Sequence, residues 1–208
     1  GKPIPGQMCV EAAVCYALGE DHGDRPSCVG AAVRAFKIRL NDANWSSNKA
    51  RTKGLRKLAI AQLGSNTIDQ QAFAKTLAKL TIQRLLPPLF RELAANPRYS
   101  KWKDLFLVVA KNCEEHGTEE SAREARKAAA DAAAAAYAAA YAAAAANANA
   151  AAYAAYAAAN AVNAAAYAAA ADVAGDRYLR LSASLCLGVL QELKSPGCAW
   201  LDREKEAQ

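Results

Sequence analysis

Histidine is nearly missing from this chain: His22 and His116 are the whole supply in 208 residues. That excludes a metalloprotease His pair and leaves little imidazole for acid–base chemistry. Phenylalanine and methionine are also scarce, at four and one. No strongly apolar run reaches the length that a bilayer demands, so no membrane association is expected. The six cysteines, Cys9, Cys15, Cys28, Cys113, Cys186 and Cys198, never fall at short Cys-x2–4-Cys spacing. A zinc site built on such pairs is therefore not expected. Glycines are scattered rather than gathered into a phosphate-binding loop, and no Ser nucleophile elbow is present. No metal and no cofactor is expected. Alternating strand patterns are missing as well, which removes a sheet as the organising layer.

What is present in excess is alanine. About three-quarters of residues 128–171 are Ala, and alanine is the best helix former because its methyl group loses no rotamer freedom. The interruptions are ordered. Asn149, Tyr153, Tyr156, Asn160, Asn163 and Tyr167 are spaced 4, 3, 4, 3, 4, which puts them on one stripe of a helix. Tyr137 and Tyr141 lie on another phase. The Asn147-Ala-Asn149 step between them reads as a break between two antiparallel helices, with one continuous helix as the alternative. An Ala-rich helical hairpin is thus expected. Its stripe is either a solvated face or a partner-binding surface, since Tyr joins an apolar body to a hydrogen-bonding tip. The Ala background resembles ice-binding alanine helices, but their regular Thr is missing.

The rest of the chain reads as helices separated by turn chemistry. Val10–Leu18 is apolar nearly all round, with Glu11 its one charge, so a basic partner or a surface edge is expected for that carboxylate. Gly19 stops this helix. Further helices are expected near 28–40, 48–63 and 67–85, the third of these opened by a Thr67/Gln70 capping box. Ser46-Ser47 is a candidate cap for the 48–63 helix, and Trp45 a hydrophobic staple beside it. Pro87-Pro88 must kink or restart the chain. Ser100 is expected to cap a helix burying Trp102, Leu105, Phe106, Val108 and Val109. A Ser121/Glu124 capping box should open the alanine stretch, and Asp176 a last helix. The sum is an all-α multi-helix bundle of about eight or nine helices. Residues 1–117 form a mixed-core region and 118–208 the Ala-rich hairpin plus C-terminal helix, joined in one globular unit.

Three functional readings follow. The first is a non-enzymatic binding or assembly protein that uses the Tyr/Asn stripe towards a protein partner or its own copy. The second is nucleic-acid binding through Arg34, Lys37, Arg39, Lys49, Arg51, Lys53, Arg56 and Lys57, opposed only by Asp42, in a chain of net charge +6. The third is a cysteine-dependent enzyme using Cys9, placed in the first turns of a helix where thiolate is favoured. The lining of the main concave surface, whether Tyr/Asn, Lys/Arg or Cys9 with a histidine, separates the three. Gly1-Lys2-Pro3 reads as a trimmed start. Without a secretory signal, a cytoplasmic setting with reduced thiols is expected. The Cys9–Ala13 and Arg39–Asp42 segments resemble alanine-rich bacterial proteins.

Overall fold

The structure, a computed structural model, describes residues 8–131 and 172–201. Among the described residues the chain is helical and no strand occurs. The elements are α1 (Val10–Leu18), α2 (Ala31–Asn41), α3 (Asn48–Ala61), α4 (Gln70–Leu80), α5 (Leu86–Ala95), α6 (Lys103–His116), α7 (Glu119–Asp131) and α8 (Asp172–Glu192). The segment expected to form the Ala-rich hairpin lies outside the described residues.

Local chemistry explains most boundaries. Gly19 ends α1 in the left-handed region at φ 72°, a conformation that only glycine adopts without penalty. The Ser47 hydroxyl accepts from the Ala50 amide at 3.1 Å, capping α3. Four expected caps are corrected. Asp69, not Thr67, caps α4 by accepting from the Gln71 and Ala72 amides. Gln70 instead bridges loops, donating to the carbonyls of Ser65 and Ile68 and accepting from the Ala32 amide. At α7 the box is Thr118/Ser121: each side chain accepts from the other's backbone amide, while Glu124 accepts from Asn112 Nδ2. No side chain caps α6, whose preceding residue is Trp102. Asp176 lies inside α8 rather than at its start. The Pro87-Pro88 pair sits in the first turn of α5, just after a π-helical turn at Thr81–Leu85. The Leu86 amide bonds to the Thr81 carbonyl five residues back, so the ladder is already out of α register where the prolines enter.

Two cores result. The first gathers Val33, Phe36 and Leu40 of α2, Leu55 and Leu58 of α3, Phe73 and Leu77 of α4, and Tyr178, Leu179, Cys186 and Leu190 of α8. Burial of each such Leu or Phe contributes about 1.5–3 kcal/mol. Its members come from both the 1–117 and 118–208 stretches. The second core packs Leu86, Phe90 and Leu93 of α5 against Phe106, Val109 and Cys113 of α6 and Ala122, Ala125 and Ala128 of α7. Phe90 and Phe106 meet with ring centroids 5.6 Å apart, a favourable tilted geometry. On α6 the buried face differs from the expectation: Leu105, Leu107 and Val108 are exposed. An ion pair from Arg177 to Glu92 ties α8 to α5.

The tail closes the first core. A 3-10 turn at Pro196–Trp200 lies against the end of α3. Ser195 Oγ donates to the Ala61 carbonyl at 2.7 Å and the Gly197 amide to the Leu63 carbonyl at 2.7 Å. A Cβ at Gly197 would stand 2.2 Å from the Ile60 oxygen, so only glycine fits.

Candidate functional site

The start of α1, the loop at 22–24, the end of α2 and the start of α3 enclose a cavity of about 430 Å³. Cys9, Glu11, His22, Asp24, Lys37, Asn41, Asp42 and Arg51 all line it. That volume falls within the range of small-molecule sites.

Helical periodicity delivers each side chain. Cys9 is the N-cap of α1, with extended backbone and no side-chain bond to the helix. It thus occupies the end of α1 that carries the positive pole of the helix. Glu11 follows in the first turn, 3 % exposed. Its partner is Lys37, which pairs with Glu11 Oε2 inside the protein. Lys37 occupies the inward stripe of α2, four residues after Val33 and three before Leu40. It is thus removed from any outward basic face. Arg51 reaches the cavity by the same logic on α3, since Arg51, Leu55, Leu58 and Gln62 recur at spacings of 4, 3 and 4. Gln62 is fully buried and donates to Glu11 Oε2 at 3.0 Å. Asn41 and Asp42 close the wall at the C-terminal end of α2, with Asn41 Nδ2 donating to Asp42 Oδ1 at 2.9 Å.

The electrostatics are unusual for a small helical protein. Burial pushes the Lys37 amine below the ordinary lysine range, and the neighbouring Glu11 carboxylate only partly restores it. Glu11 Oε1 and Gln62 Oε1 are buried without a hydrogen-bond partner, a costly state that proteins rarely keep. The loop carrying His22 and Asp24 is held at its base by Ser27, whose amide and hydroxyl both donate to Glu20. Those bonds, the hydroxyl's first, draw the Glu20 carboxyl below its usual range.

The six thiols are all free and fall into two groups. Burial pushes Cys15, Cys186 and Cys198 upward, and Cys113 up to about 12. These four are poor thiolates at neutral pH. Cys9 and Cys28 are half-buried, and of the six only Cys9 lines the cavity. No group of three His, Cys, Asp or Glu among the described residues has the arrangement to hold a metal ion.

The basic segment is dispersed rather than gathered. Lys37 is buried, Arg51 faces the cavity, and Arg34 and Arg39 are half-buried. Lys49, Lys53, Arg56 and Lys57 are exposed on α3. Trp45 donates its indole N–H to the Leu40 carbonyl at 2.8 Å and covers Gly54, where a Cβ would meet its ring at 2.4 Å. Its role is to seat α3 on α2. Asn149, Tyr153, Tyr156, Asn160, Asn163 and Tyr167 lie outside the described residues.

Sequence reasoning named Cys9 with a histidine as one lining of the main concave surface but did not identify the Glu11–Lys37 pair beneath it. The signal was the lone carboxylate of α1 facing a lysine at an inward position of α2. No known protein family matches the chain, and neither a curated protein nor a solved structure does.

Proposed function

We propose that the chain is a helical binding protein that takes a small polar molecule into the α1–α2–α3 cavity, with Cys9 as the group that grips or reacts with it. One observation carries this reading: a thiol, an imidazole, an amide and both signs of charge line a single space of about 430 Å³. Carboxylates and cations nearly balance along the wall, which suits a neutral or zwitterionic guest better than a strongly charged one. The thiol at the head of α1 and His22 on the facing loop supply the residue types of nucleophilic catalysis, so turnover is a natural extension of binding here.

The test is site-resolved alkylation. Native protein at neutral pH is treated with limiting iodoacetamide, and each cysteine peptide is followed by mass spectrometry. Cys9 is expected to react several-fold faster than Cys28, and replacing His22 with Ala is expected to slow it. A Cys9 no faster than Cys28 would sink the thiol reading.

A second reading rests on the 4, 3, 4, 3, 4 spacing of the Tyr/Asn stripe, which supports a contact surface for a protein partner or a second copy. Changing Tyr153 and Tyr156 to Ala and measuring mass in solution tests it. Unchanged assembly would count against the stripe.

A further inference from the structure

We infer that the outer face of α3 is a docking surface for the phosphate backbone of a nucleic-acid duplex, independent of the cavity reading. α3 contains no acidic residue from Asn48 to Ala61. Its inward stripe is consumed by Arg51, Leu55, Leu58 and Gln62, which leaves its other basic residues on the opposite side. Lys49, Lys53 and Arg56 follow one another at spacings of 4 and 3, so they form one exposed row. That row spans about 10 Å along the axis, the axial distance of about three successive phosphates of one strand. It borders a shallow groove of about 440 Å³ lined by Asn48, Lys49, Thr52, Lys53 and Arg56, with no carboxylate in the lining. Lys57 flanks the row.

Two observations select the partner. The groove presents no aromatic or aliphatic anchor, whereas protein interfaces draw their energy from such anchors. An acidic protein is therefore the poorer fit. Single strands need aromatic stacking platforms, and Trp45, which packs on α3, is spent on Gly54 and the Leu40 carbonyl. Backbone contact to a duplex, without base readout, remains.

The test uses the full chain and a fluorescent 20-base-pair DNA duplex, read by anisotropy at 50 and 200 mM salt. With three cations engaged, affinity should fall about 40-fold between the two salts. The K49E/K53E variant should lose binding at 50 mM. The K75E/K79E variant, altered at two exposed lysines of α4, makes the same change in net charge and should keep it. Circular dichroism verifies that both variants fold. Three outcomes overturn the inference: no binding at 50 mM, equal loss in both variants, or polyglutamate captured through Lys49 and Lys53 while the duplex is not.

Discussion

Lys37 shows how a single residue changes the reading of its surroundings. By composition it belongs to a basic segment; by register it belongs to the core, where it neutralises Glu11. Removing one member of a buried pair strands the other, so Lys37→Ala should lower stability by about 3–5 kcal/mol. The double replacement Glu11→Leu with Lys37→Met removes both charges and should cost clearly less than Lys37→Ala alone. Urea unfolding of the three proteins checks this. A Lys37→Ala loss under about 1 kcal/mol would mean that the pair is not sealed from water. The choice at Glu11 was legible, because one carboxylate on an apolar helix must either find a basic partner or sit at a surface edge, and the structure takes the first. The partner's identity was not, because a lysine's inward or outward aspect depends on the exact phase of α2.

At the scale of elements, helix existence was legible and helix detail was not. Gly19 and Ser47 act where sequence chemistry put them, since φ near 72° and an N-terminal hydroxyl are local requirements. The α7 cap was displaced by three residues because Thr118 and Ser121 both precede a helical run, and only their mutual bonds decide between them. Thr118→Ala should cost about 1 kcal/mol, visible as a lower urea midpoint, whereas Glu124→Ala should be near neutral. The reverse order would restore the Ser121/Glu124 box. On α6, Leu105–Ala110 is apolar at every position, so periodicity had no contrast from which to choose the buried face. The structure buries Phe106, Val109 and Ala110 and leaves Leu105, Leu107 and Val108 outside.

At the scale of the whole molecule, α8 is bound to the N-terminal helices by a polar contact as well as by the first core. Asp176 Oδ1 accepts from the Ser46 amide at 2.9 Å, and Oδ2 from the Ser46 hydroxyl at 2.7 Å and from Arg180. Burial raises this carboxyl, but the Ser46 bonds and Arg180 outweigh it and the net displacement is downward. The depressed group adds stability that is complete above the unfolded value of about 3.9. It is lost as pH falls through the lower folded value. Unfolding midpoints at pH 6 and pH 3 should therefore differ more in the native protein than in Asp176→Asn. An equal drop in both would show that other carboxylates govern acid sensitivity. None of this link was legible, because Ser46 and Asp176 are 130 residues apart.

The clasp at Gly197 sets an order of events during synthesis. The carbonyls ending α3 receive donors from Ser195 and Gly197, and Ser195 is made 134 residues after its acceptor Ala61. At about 5–20 residues per second, the stretch from Asp131 to Leu201 takes several seconds to emerge. The α5–α7 half has all its own helices by then, while Phe36, Leu58 and Phe73 still wait for α8. During that interval the nascent chain shows an unroofed greasy surface, and a chaperone or a neighbouring ribosome's product has its best chance to meet it.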